Sequence, residues 1–265
     1  MAEVSQTASG TSFLSEAGAS LSRTFFALGI IGIGIQQVYL EDFVPVILPS
    51  FPSSLPFRPG WIYGIAAILV FAGIGILIPR AARLCATALG VVLLALLVVR
   101  HIPVQLGDHP RVVANWTNAF KILTLAGGAF IVAASTSTPK SGITNRAFII
   151  FGTFTLAITC IVFGTDHFLY APYVAPLVPA WIPWHMFWTY FCGAALIASG
   201  LGMITRILPR LAAGMLGGTI FIWLIVLHIP RAIVDPHSGH GNEITSVFEA
   251  LAFSGIAFLL AASKN

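Results

Sequence analysis

Groups suited to metal or proton chemistry gather in the second half of the sequence. The stretch "DPHSGHGNE" (235–243) carries Asp235, His237, His240 and Glu243; His228 stands just before it, and Asp166, His167 and His185 lie upstream. Imidazole and carboxylate are ligands for Zn²⁺, Cu²⁺ or Fe²⁺, and imidazole also exchanges protons near neutral pH. Pro236, Gly239 and Gly241 allow a turn tight enough to aim His237 and His240 at one point. His167 and His228 would complete that ligand set, with Asp166 orienting one imidazole from behind. The alternative is a set of interfacial histidines, wet and hydrogen-bonded to loops or headgroups.

Two smaller constellations stand beside it. His101 and His228 each precede Ile-Pro. Proline has no backbone N–H and restricts the residue before it, so a helix tends to stop there, and a histidine in its last turn can bond the loose carbonyls. The other reading is a matched pair facing one cavity, with Trp188, to hold a quinone carbonyl or a metal. A bis-histidine haem is disfavoured, because no second pair lies deeper. Lys121 and Glu249 sit just inside apolar segments, where a charge is costly and usually pairs or faces a cavity. They are candidates for proton handling, or for a structural ion pair.

The elements that must position these groups are membrane helices. Of 265 residues, 57% are hydrophobic and 8% charged, and the mean hydropathy is +0.94. A soluble domain carries about 25% charged residues, so the bilayer is the better solvent for this chain. Eight apolar segments, at about 23–41, 61–79, 83–102, 117–136, 146–164, 184–204, 210–229 and 245–263, are each long enough to span. Backbone groups in lipid must be satisfied internally and no barrel-type alternation occurs, so an all-α protein with eight transmembrane helices is expected. Residues 1–22 are polar and Ser/Thr/Ala-rich, without the basic and apolar regions of a secretory signal, and read as a mobile cytoplasmic tail. Cys85, Cys160 and Cys192 form no CxxC and read as small apolar residues. There is no phosphate loop, nucleophile elbow or nucleic-acid patch.

Arg23, Arg80, Arg83, Lys140, Arg146, Arg206, Arg210 and Lys264, eight of the 13 basic residues, fall on the side of the two termini. That bias predicts that both termini are cytoplasmic. All seven histidines, including His109, fall on the opposite side, and most tryptophans lie near those helix ends as an interfacial belt.

The chain also repeats itself. "WIYGIAAILVFAGIG" (61–75) aligns with "WTYFCGAALIASGLG" (188–202), a shift of 127 that also pairs Arg83 with Arg210, Gly90 with Gly217, Asp108 with Asp235 and the two His-Ile-Pro steps. A shift of 128 pairs "FKILTLAGGAFIVAAS" (120–135) with "FEALAFSGIAFLLAAS" (248–263), and a shift of 130 pairs Gly34 with Gly164, Gln36 with Asp166, Gln37 with His167 and Pro49 with Pro179. The expected organisation is two tandem four-helix units of the same orientation, 23–136 and 146–265, joined by a polar linker at 137–145. Where the second unit has Asp166 and His167 the first has glutamines, so one active site would draw its ionisable groups mainly from the second. Glu41, Asp42 and His109 are the weaker contributors of the first.

A four-helix unit with a His-Pro step ending its third helix and a Gly/Ala-rich fourth helix resembles the DoxX-like family of bacterial membrane proteins. The residues carrying the likeness are "HIP" at 101–103, "WTNAFKILTLAGGA" at 116–129 and their counterparts at 228–230 and 248–257. The resemblance implies a redox-associated subunit of a respiratory complex, binding a quinone-like lipid or a divalent metal, with membrane lipid and other subunits as partners; the histidine distribution puts that site near the outer face. The usual member is one such unit, so the fused pair departs from the pattern. A non-catalytic accessory subunit and a small-solute transporter are the other classes; few ionisable groups lie in mid-span, which counts against transport.

Overall fold

The computed structural model describes residues 2–49, 54–107, 110–136 and 142–263, with residues 2–15 described by backbone alone. Asp108, His109, Lys140, Lys264 and linker residues 137–141 lie outside the described residues. Among the described residues there is no strand, and eight helices are long and apolar enough to cross a membrane. They are α1 (Ala2–Leu40), α2 (Arg58–Leu77), α3 (Ala82–Leu96), α4 (Thr117–Ser135), α5 (Gly142–Leu169), α6 (His185–Thr205), α7 (Pro209–Trp223) and α8 (Ser238–Ala262). Large apolar side chains such as Phe71, Val98, Phe154 and Met215 face outward, as lipid-facing surfaces require. The chain is a multi-pass helical membrane protein.

Two boundaries differ from the sequence reading. Helix α1 runs through the stretch expected to be a tail, and its apolar span starts at Glu16. Residues 2–22 contain no proline, and Ala, Glu and Gln among them favour helix. The His-Ile-Pro steps do not stop their helices either. A π-turn covers Leu97–His101 in one and Leu224–His228 in the other, after which helix resumes over Ile102–Gly107 and Ile229–Val234. Pro103 and Pro230 would each lack one helix bond and clash with the preceding turn; the wider π register absorbs both faults.

Helix neighbours come in matched pairs. α1 packs on α2 as α5 packs on α6, α3 on α4 as α7 on α8, and α1 on α8 as α4 on α5. Neither half therefore closes on itself. α1 leans on α8 of the other half, so the helices form two five-membered rings, α1-α2-α3-α4-α8 and α4-α5-α6-α7-α8, with α4 and α8 common to both. These two are the most buried spans. Glycines permit the close approaches. A Cβ at Gly73 of α2 would stand 3.0 Å from the Ala27 carbonyl of α1, and one at Gly200 of α6 would stand 2.6 Å from the Ala157 carbonyl of α5.

The interiors of the two rings differ. In the first, the loop after α1 folds inward, and Phe43, Val44, Val46, Ile47 and Leu48 are all buried. The corresponding segment of the second half, the short helix Ala171–Val174 and 3-10 turn Ala175–Leu177, stays outside as a cover: Tyr173 is 79% exposed where Phe43 is 2%.

Candidate functional site

The second ring lines a half-open cavity of about 590 Å³. All five of its helices contribute to the wall, and the 170–178 segment covers one end. That volume lies within the range of about 300–1,000 Å³ typical of small-molecule sites. The wall is mainly aliphatic and aromatic, with Leu156, Phe163, Leu196, Trp223 and Phe253 among its members. Polar groups are few and placed by helical spacing. Helix α5 presents Thr159, Phe163, Asp166 and His167 at a three-to-four-residue rhythm along one face, and Tyr170 follows just past its end. Trp188 and Thr189 enter from α6, His228 from the π-turn after α7, and Ser246 and Glu249 from α8.

Lys121 of α4 and Glu249 of α8 meet in this wall, Nζ to Oε2 at 2.7 Å, with side chains 15% and 5% exposed. Two charges at matching positions of the two halves have thus become an ion pair across the shared helices. The other oxygen, Glu249 Oε1, has no partner among the described residues; neither has Asp166 Oδ1 nor Trp188 Nε1, and all three atoms are buried. His167 Nδ1 lies 2.7 Å from the Phe163 carbonyl, to which it donates. In the neutral ring Nε2 is then the acceptor. Trp223 Nε1 donates to Cys192 Sγ at 3.2 Å, so that cysteine is a wall residue with a defined contact.

Of the expected ligand set, the cavity collects Asp166, His167 and His228, together with Trp188. It does not collect His237 or His240. The 237–241 turn has Gly239, His240 and Gly241 all at positive φ, which swings both imidazoles toward α1. His237 stacks on Tyr39, ring centroids 6.4 Å apart, and His240 Nε2 lies 3.3 Å from Asp42 Oδ2. Among the described residues no three His, Cys, Asp or Glu side chains converge as a metal site. His185 is the first residue of α6 and lies outside the cavity wall.

His101 departs from its expected role as well. It is fully buried, and its Nε2 is 3.2 Å from the Ile47 carbonyl of the inward-folded loop. The two His-Ile-Pro histidines therefore face different interiors, because the space open to His228 is filled by loop in the first half. Gln37 fixes that filling: Nε2 donates to the Ile62 carbonyl at 2.8 Å and Oε1 accepts from Val44 N at 3.3 Å. Gln36 bonds the Gly241 carbonyl and Thr245 Oγ1, tying α1 to the start of α8.

The mouth of the second ring is braced by Arg231 and Glu243, a two-point pair at 2.9 and 2.6 Å. Asp42 joins Arg58 in a second ion pair at the same end. The sequence reading missed the threonines, Phe163, Tyr170, Cys160, Cys192 and Trp223 as site residues. The α5 rhythm was the available signal, since it places hydroxyl, thiol and imidazole groups on one face of an otherwise apolar helix.

Compared with family models, curated proteins and solved structures, the chain matches none.

Proposed function

We propose that this chain is a quinone-binding subunit of a bacterial inner-membrane redox complex, and that its site is the cavity of the second helix ring. The observation carrying the reading is the pairing of a largely apolar, aromatic-walled chamber of about 590 Å³ with a small set of ionisable groups, Asp166, His167, His228 and the Lys121–Glu249 pair. A ring with one or two oxygens on a hydrocarbon tail has that same division between apolar body and polar edge. Trp188, Tyr170 and Phe163 offer faces for stacking such a ring. The resemblance to the DoxX-like family points in the same direction. With both termini cytoplasmic, as the basic residues favour, the chamber would open toward the outer leaflet.

The inward placement of His228 and His167, against the outward placement of His237 and His240, favours an organic ligand over a metal at this position. A direct test is equilibrium dialysis of the protein in lipid nanodiscs against a short-chain benzoquinone. One saturable site is expected, lost in Leu196→Trp, which fills the chamber. Unsaturable partitioning, equal in the wild type and the variant, would sink the proposal.

A further inference from the structure

Five hydroxyl groups of the cavity wall have already given away their protons. Thr117 Oγ1 donates to the Ala114 carbonyl at 2.7 Å, Thr189 to His185 at 2.9 Å and Ser246 to Asn242 at 2.9 Å. Thr124 donates to Thr159 Oγ1 at 2.8 Å, and Thr159 in turn to the Phe120 carbonyl at 3.2 Å. Each of these five hydroxyls thus offers a ligand only lone pairs. The indole of Trp223 is spent on Cys192. To these acceptors are added His167 Nε2, freed by the Nδ1 bond, and the two carboxylate oxygens without partners, Glu249 Oε1 and Asp166 Oδ1. On the donor side stand Trp188 Nε1, the N–H groups that Lys121 does not direct at Glu249, a ring N–H of His228 and the hydroxyls of Tyr170, Tyr173 and Thr219.

We infer that the chamber selects ligands that donate hydrogen bonds, and so takes the dihydroxy, hydroquinone form of its ring ligand in preference to the oxidised quinone. The inference rests on the proposed quinone site and adds the form it holds. The two carbonyls of a quinone can only accept, so Glu249 Oε1 and Asp166 Oδ1 stay unsatisfied beside it. A hydroquinone brings two O–H groups. Bonds from a neutral hydroxyl to a carboxylate are the stronger, charge-assisted kind, and an unpaired buried acceptor is penalised more than an ordinary bond is rewarded. Asp166 and Glu249 are the residues on which this preference depends.

The test compares three probes of one skeleton on the full chain in nanodiscs under anaerobic conditions: trimethylhydroquinone, trimethylbenzoquinone and the hydroquinone dimethyl ether. Isothermal titration is expected to give the hydroquinone about tenfold or greater tighter binding than either other probe, the size of one charge-assisted bond. Asp166→Asn replaces an acceptor by a group that can donate, and should bring the hydroquinone-to-quinone ratio close to one. This variant leaves the Lys121–Glu249 pair intact, so it separates selectivity from folding. Quinone binding as tight as hydroquinone would overturn the inference while leaving the quinone site standing. Saturable binding by none of the three would remove the site itself.

Discussion

Lys121 and Glu249 hold a 2.7 Å ion pair between α4 and α8, the two helices that belong to both rings. It joins the halves of the chain at their shared centre and forms part of the wall of the cavity. Removing one partner strands the other in an apolar setting. Glu249→Leu or Lys121→Leu should each cost about 3–5 kcal/mol, whereas the double substitution should recover most of that loss. Thermal unfolding followed by intrinsic fluorescence in mild detergent reads the difference. Singles and double losing the same amount would show that the pair is not the source of the effect.

The matched glycine contacts make a second prediction. A side chain at Gly200 must displace the Ala157 backbone carbonyl, which cannot yield as a flexible side chain would. Gly200→Val should therefore part α6 from α5 and abolish the monodisperse peak in fluorescence-detected gel filtration. Gly64 and Gly218 have open space around the position of a Cβ. Ala at either should leave that elution profile unchanged.

His237 and His240 should be dispensable to ligand binding and to any metal content. One stacks on Tyr39, the other meets Asp42, and both side chains are exposed. The double substitution to Ala is expected to alter benzoquinone affinity less than about twofold, since rim contacts of this kind contribute little. His228→Ala, inside the wall, should weaken binding about tenfold, as loss of one good hydrogen bond does. Elemental analysis adds an independent check. Stoichiometric zinc, copper or iron that disappears with His237 and His240 would contradict the outward placement.

Interlocked rings predict the behaviour of a divided chain. Expressed alone, residues 1–138 leave the α8-facing side of α1 uncovered, and a Cβ at Gly29 would lie 2.6 Å from the Phe248 carbonyl it has lost. The two halves produced from separate reading frames, split within 137–141, should co-purify as a one-to-one complex. Either alone should be degraded or aggregate. Recovery of a stable, monodisperse first half would argue that each unit closes by itself.

How far the sequence could be read depended on what each feature needs. Eight spans follow from apolar length alone, and the symmetry-matched Lys121 and Glu249 were legible as a pair because buried opposite charges have few alternatives. The matching of Gln36 with Asp166 and Gln37 with His167 pointed to the second half, where Asp166 and His167 line the cavity. What remained hidden was the direction of side chains in short loops. Three successive positive-φ residues at 239–241 decide where His237 and His240 point, and only two of those three are glycine. The π-turns were hidden for a related reason: His-Ile-Pro is compatible with a helix end and with a helix that widens and continues. The inward fold of 41–49 was invisible because "EDFVPVIL" and "APYVAPLV" have similar patterns, yet only the first is gripped by a glutamine amide.

Filling the first ring has a mechanical consequence. α4 and α8 are walls of the chamber on one side and are backed on the other by a solid interior of Ile30, Ile33, Ile47, Leu93 and Ile122. A cavity is ordinarily a weak point, since its lining is packed against protein on one side alone. Here the two inner walls are buttressed, so the give in the structure is left to α5, α6, α7 and the cover at 170–178. Two such chambers back to back would have given the shared helices soft packing on both sides; with the first ring filled, compliance is confined to the half that holds the cavity.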